Sequence, residues 1–310
     1  MFSGQGSQYF RMGQALYEQR PVFRHWMQRL DRIFTRAAGQ SLLGTLYGQG
    51  RAKSETFDEL SLTHPALFAV GFATAQTLID GGVEPDIVLG TSVGAFIACA
   101  LAGCLDVETA FAAVVGQAQA VQAHCEEGAM IAVLADPKLF EEANLSTFAD
   151  LAALNFAGHF VIATSAAHVS RLEQTLRQRG LTFQRLSVRF AFHSRWIEPA
   201  GAPCTALLRS LATRAADTPI ACCAGAQLLD AIPADYLWSV VRRPIRFRET
   251  IQRLESGGAV RYIDAGPAGT LATFAKYALP PGSRSQLHWI LSPFGGELAR
   301  LDSLALRSPA

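Results

Sequence analysis

The chain has 310 residues, half of them hydrophobic and 17% charged, with 27 basic and 26 acidic side chains. This is enough apolar material for a sizeable core in one large or two smaller domains. A net charge of +1 without a basic, aromatic-interleaved stripe argues against nucleic acid as a partner. No run reaches about 18 uninterrupted apolar residues, so no membrane contact is expected. The opening Met1–Gly6 has neither the basic nor the apolar region of a signal peptide. Cys99, Cys104, Cys125, Cys204, Cys222 and Cys223 show no metal-ligand spacing, and the seven histidines are scattered. Together these features predict a cytoplasmic protein without a metal site, in which Cys99 and Cys104 act as small core hydrophobes.

In chain order, a glycine-rich opening loop precedes helical periodicity at Met12–Tyr17 and across Phe23–Phe34. A further helix is predicted from Thr63 to about Ile79, with Pro65 in its first turn. The apolar run Ile87-Val88-Leu89 reads as a buried strand and the small-residue stretch Ala95–Ala102 as a helix. Asp106 is the predicted N-cap of a helix from Val107 to about Cys125. From Gly128 the pattern changes to strand Ala129–Leu134, short helix Pro137–Ala143, strands Leu151–Asn155 and Phe160–Ala163, helix Val169–Arg179 and strand Thr182–Val188. That β-α-β-β-α-β order describes a ferredoxin-like unit inserted into a larger α/β body that resumes near Phe190. The body then carries strand Ile220–Cys223, helix Ile245–Leu254, strand Val260–Ile263 and a helix after Gly266-Pro267-Ala268-Gly269. The tail from about Gly295 reads as soft.

Between the predicted strand at 87–89 and the helix at 95–102 lies Gly90-Thr91-Ser92-Val93-Gly94. A serine flanked by glycines at a strand-to-helix turn has the pattern of a nucleophile elbow, with the following helix supplying N–H groups to a developing negative charge. A serine needs a base, and His193, in Arg189-Phe190-Ala191-Phe192-His193-Ser194 where the insert rejoins the body, is the best placed. In Gly4-Gln5-Gly6-Ser7-Gln8 two glycines around a glutamine let backbone N–H groups point into a cavity, as half of an oxyanion hole. The other half would be the N–H of Val93.

Six motifs occur in order: Gly4–Gln8, His64-Pro65-Ala66-Leu67-Phe68, Gly90–Gly94, Ala191-Phe192-His193-Ser194, Arg243-Pro244-Ile245-Arg246-Phe247 and Gly266-Pro267. In this the chain resembles the malonyl-CoA:acyl-carrier-protein transacylases, the acyltransferase domains of fatty-acid and polyketide synthases, from Phe2 to about Ala278. The resemblance implies an α/β-hydrolase-like large subdomain with a parallel sheet (1–127 and 190–310) and a ferredoxin-like small subdomain (128–189). It further implies that Ser92 is acylated, that His193 is general base and acid, and that the N–H groups of Gln5 and Val93 hold the oxyanion. A backbone carbonyl within Ser239–Arg242, Val240 by preference, would orient His193. Thr91, Gln117, Phe190, Phe192, His64 and Asn155 would surround the substrate. No cofactor is implied, since the acyl group travels on the 4'-phosphopantetheine of a carrier protein, and a monomer is expected.

Carboxylate-accepting members carry an arginine in the helix after the elbow, where this chain has Gln117. An amide cannot balance a desolvated carboxylate, and leaving that charge unpaired costs roughly 3–5 kcal/mol. Thr91 stands where a histidine usually precedes the nucleophile, which opens the pocket floor, and Phe190 replaces the histidine of malonyl-selective H-A-F-H patterns. Phe192 keeps the malonyl type, so that motif is neutral; with glutamine for the arginine and the opening Met1–Tyr9, the chain resembles the discrete acyl hydrolases of trans-acyltransferase polyketide synthases, which remove stalled acyl groups from carrier domains. The expected activity is hydrolysis of non-carboxylated acyl thioesters; the alternative is transfer of an acyl group from CoA to a carrier. A patatin-like serine–aspartate lipase, echoed in Asp264-Ala265-Gly266, and a noncatalytic carrier-binding module are the remaining readings. Arg185, Arg189 and Arg195 are candidates by charge for meeting an acidic carrier protein.

Overall fold

The structure is a computed structural model and describes residues 1–305. Its first half is helical: α1 (Gln14–Gln19), α2 (Pro21–Ala38), α3 (Leu42–Tyr47) and α4 (Leu60–Asp80) precede strand β1 (Val88–Gly90), then α5 (Gly94–Leu101) and α6 (Val107–His124) follow. Asp106 caps α6 as predicted, its side chain accepting from the Thr109 N–H at 2.9 Å. The helix predicted from Thr63 starts three residues earlier, so Pro65 sits inside α4 rather than in its first turn. The backbone bond it forfeits belongs to Ser61, which is half-buried and close to the helix end. Among the described residues α4 is the one helix long and apolar enough to cross a membrane, yet it is almost wholly enclosed by this protein's own core.

Residues 128–185 build a separate four-stranded antiparallel sheet. It contains β2 (Gly128–Leu134), α7 (Leu139–Glu142), β3 (Asp150–Phe156), β4 (His159–Ser165), α8 (Val169–Gln178) and β5 (Thr182–Arg185). The strand order β3-β4-β2-β5 is the ferredoxin-like arrangement. One face carries α8, whose Leu172 and Leu176 pack with Ile131, Val133, Phe160 and Ile162.

The remaining body consists of α9 (Gly201–Arg209), β6 (Ala215–Cys222), β7 (Gln227–Ala231), α10 (Tyr236–Arg242), α11 (Phe247–Glu255), β8 (Arg261–Asp264), α12 (Thr270–Ala278), β9 (Gln286–Trp289) and α13 (Glu297–Ala305). Sequence periodicity missed α9, β7, α10 and β9. The tail expected to be soft from Gly295 holds α13, with Leu301 and Leu304 buried, while 306–310 lie outside the described residues. Parallel pairs join β1 to β6 and β8 to β9, and β7 lies antiparallel to β6.

The first two residues stitch β1 to β8. The Phe2 N–H donates to Leu89 O at 2.8 Å and Phe2 O accepts from Thr91 at 3.0 Å, while Met1 O accepts from Ala265 at 3.0 Å. The small sheet meets the body along a second seam. Ile245 donates to Ala152 O at 2.9 Å and accepts from Leu154 at 2.8 Å, adding one parallel rung to the edge of β3. Arg195 grips Asp150 through its backbone N–H and guanidinium.

A Cβ at Gly94 would stand 2.1 Å from Phe2 O, because the start of α5 is pressed against the amino-terminal rung. Gly94→Ala is therefore expected to cost at least ~3 kcal/mol, measurable as a fall in Tm by circular dichroism.

Candidate active site

Ser92 sits at the turn between β1 and α5 with φ 54°, the left-handed region that non-glycine residues rarely occupy. The turn is possible because its flanks lack side chains: a Cβ at Gly90 would lie 2.1 Å from Gly94 O. The Gly4 loop crosses directly above, since a Cβ there would come within 2.8 Å of Ser92 Cβ. Sequence and structure thus agree on an elbow that aims Ser92 into a cavity of about 130 Å³.

That cavity lies between the body and the small sheet. Ser92, His193, Gln5, Thr91, Phe192 and Asn155 all line it, so six of the residues singled out in the sequence are brought together. The N–H groups of Gln5 and Val93 have no hydrogen-bond acceptor among the described residues, as an oxyanion hole would require. Gln117, His64 and Phe190 do not line the cavity. His64 packs its ring 5.3 Å from that of Phe192 and its Nδ1 meets Gln117 Oε1 at 3.1 Å, so the pair stands behind Phe192. A larger hollow of about 400 Å³ between α4, β1 and β8 shares no lining residue with this cavity, and its lining holds no serine, histidine or cysteine.

His193 also has a positive φ, 59°. Its N–H donates to Val241 O at 3.1 Å, and its Nδ1 donates to Arg243 O at 2.8 Å. The expectation of Val240 is therefore corrected to Arg243, which follows the last turn of α10 with extended backbone (φ −80°, ψ 154°) and turns its carbonyl toward the ring. The bond fixes the tautomer: with the proton on Nδ1, Nε2 is free to act as base. Ser92 Oγ makes no hydrogen bond with His193 or any other described residue, and such pairs commonly tighten only around substrate.

Asp264, the echo of a serine–aspartate dyad, does not line the cavity. Its buried carboxylate accepts from Gly266 at 2.8 Å and Ala272 at 3.0 Å, binding the turn into α12. Of the three arginines considered for partner contact, Arg189 is paired with Glu127 and Arg195 with Asp150, while no ion pair among the described residues engages Arg185. Sequence reasoning missed His159, Ile245, Thr270, Leu271 and Phe274, which close the far wall of the cavity. They come from the β3–β4 hairpin, the loop before α11, and α12, and no motif connects these segments.

An elbow serine, a histidine whose ring is held by a backbone carbonyl and two N–H groups without acceptors thus come together in one fold. The Acyl transferase domain family matches residues 1–281, and the chain belongs to that family. It is 41% identical to the polyketide biosynthesis protein ThaF of Burkholderia thailandensis over 98% of its own length, but spans only 27% of that larger protein. It is 38% identical to the polyketide biosynthesis acyltransferase homolog BaeD of Bacillus velezensis, covering 98% of this chain and 94% of that one. Among solved structures, the acyltransferase domain from the second module of the salinomycin polyketide synthase superposes with TM-score 0.87 at 31% identity. That match covers 99% of this chain and 71% of the other.

Burial lowers the pKa of both His193 and His64 to about 4. Unfolded histidines protonate near 6.5, so the unfolded chain holds more protons between pH 6.5 and 4. Stability is accordingly flat above about pH 6.5 and falls as the pH drops toward 4, by ~3 kcal/mol per histidine. His64→Gln is expected to halve the acid slope contributed by this pair, measured as denaturation midpoint against pH.

Proposed function

We propose that this protein hydrolyses non-carboxylated acyl thioesters carried by acyl carrier proteins in polyketide biosynthesis, as a proofreading acyl hydrolase. The observation that carries this reading is electrostatic: no Lys, Arg, Asp or Glu lines the Ser92 cavity. Where the resemblance places a carboxylate-binding arginine, Gln117 is fully buried and bonded to a neutral His64. A malonyl carboxylate would thus be desolvated without a counter-ion, at roughly 3–5 kcal/mol. Arg195, a possible substitute, is committed to Asp150 and to the carbonyls of Ser146 and Ala149. The relatives' association with polyketide biosynthesis supports the pathway class, and with it carrier proteins as partners.

In this mechanism Ser92 Oγ attacks the thioester carbonyl while His193 Nε2 takes the hydroxyl proton. The N–H groups of Gln5 and Val93 hold the oxyanion. Collapse breaks the C–S bond, His193 passes its proton to the departing thiolate, and an acyl-Ser92 ester remains. Water deprotonated by His193 then attacks this ester, releasing the acid and restoring Ser92. The protein itself needs no cofactor for these steps.

Acetyl-, butyryl- and malonyl-loaded carrier protein, followed by intact-protein mass spectrometry, tests the reading. Free carrier is expected from the neutral substrates, with malonyl spared and Ser92→Ala inert. Acyl appearing on a second carrier faster than as free acid would make the protein a transferase instead. Gln117→Arg is expected to raise malonyl loading of Ser92 at least tenfold and to lower acetyl turnover; unchanged loading would show that one residue does not set this selectivity.

A further inference from the structure

The strands of the body form two separate sheets, β1 with β6 and β7, and β8 with β9. Met1 and Phe2 lie between them. Phe2 bonds to the β1 side through both its N–H and its C=O, and Met1 likewise to the β8 side, its nitrogen donating to Ile263 O at 2.7 Å. Adjacent strands stand about 4.8 Å apart, so the two edges are held roughly 10 Å from each other, the width that one further strand occupies. Upstream of Met1 the gap between the edges of β1 and β8 continues as the hollow of about 400 Å³.

The groups that face this hollow are those a parallel strand uses. An extended residue points its N–H and C=O to the same side, and successive residues alternate. Leu89 O accepts from Phe2 and Ile263 O from Met1, so the N–H groups of Leu89 and Ile263 point the same way, into the hollow. The residues between serve the other edge: Val260 O and Asp264 O accept from Gln286 and Ile290 on the β9 side. Leu89 is buried, and a buried N–H rarely goes without a partner. Both faces of the hollow are apolar. Leu78 on one face shares a core with Phe2 and Val88, and Leu254 on the other shares one with Leu89 and Tyr262. Exposed Glu84, Asp86 and Arg261 mark the outer end.

We propose that the hollow is a strand seat: it takes an extended segment of about four apolar residues, joined to the Met1 nitrogen and running parallel to β1 and β8. A chain joined there enters without changing direction, because the Met1 nitrogen already lies in the ladder. Its last residue would donate to Ile87 O and accept from Leu89. The residue before that would donate to Arg261 O and accept from Ile263. Enclosed on both faces, such a strand calls for a run of Val and Ile and not for alternation with polar residues. It would join the two sheets into one and anchor the segment that carries Gly4 and Gln5 past Ser92. The seat is independent of which reaction Ser92 performs.

The test compares the 310-residue chain with chains carrying Thr-Val-Ile-Val or Ser-Gly-Ser-Gly ahead of Met1, each behind an initiating methionine. The apolar extension is expected to raise Tm by ~5 °C or more over the Ser-Gly-Ser-Gly extension. It is also expected to slow hydrogen–deuterium exchange of the Leu89 and Ile263 amides at least ~tenfold, read by NMR against Val88 and Gly90 on the opposite edge of β1. An apolar extension that melts no higher than its Ser-Gly-Ser-Gly counterpart, or that leaves both amides exchanging as in the 310-residue chain, overturns the proposal. Protection by the free peptide acetyl-Thr-Val-Ile-Val-amide, with none from the joined extension, overturns it too and assigns the hollow to a partner's strand. Neither readout involves acyl transfer, so failure of the proposed hydrolysis leaves the seat standing, and the reverse.

Discussion

The close approach of the amino-terminal segment to the elbow is the constraint on which the rest of the site depends. Phe2 contributes a backbone rung to β1, and its carbonyl lies against Gly94 at the start of α5. Two residues later Gly4 passes over Ser92. One short segment therefore holds the strand, admits the strained serine and brings Gln5 to the wall of the Ser92 cavity. Side chains at positions 4, 90 or 94 would push these layers apart, and the elbow would lose the packing that sustains its positive φ.

Around this frame the cavity is polar only through neutral groups. Burial lowers the pKa of both histidines that line it, His193 and His159, and of His64 behind Phe192, so none of the three offers a cation in place of an arginine near pH 7. The orphan polar atoms behind Phe192, His64 Nε2 and Gln117 Nε2, are the uncompensated cost of this arrangement. Under the proposed function, a pocket without charge would select by subtraction. No new contact for a particular acyl group is required, only the absence of a partner for a carboxylate.

The local chemistry was legible in the sequence where it is carried by consecutive residues. Gly90–Gly94 and Gly4–Gly6 announce their geometry because tight turns and close backbone approach demand glycine. The ferredoxin-like order from 128 to 189 was readable because its strands alternate clearly with one strongly amphipathic helix, although β5 stops at Arg185 rather than Val188. By contrast, Arg243 in place of Val240 depends on where α10 ends and which way one carbonyl turns. That helix lay in a stretch with no visible period. His159 was missed for a related reason: its partner Asn155 is four residues away across a hairpin, and its cavity neighbours come from α12. Long-range convergence of this kind leaves no mark in a local pattern.

The segment Arg243-Pro244-Ile245 gives the enzyme an unusual mechanical economy. One peptide carbonyl within it steers the imidazole of His193, and two residues on the chain is bonded on both sides to β3. Proline between them limits how much the strap can flex. The tie from β3 to the carbonyl that holds the ring thus runs through two residues only. The orientation of the His193 ring and the seating of the small sheet on the body are therefore properties of one tripeptide, and neither can be altered without the other.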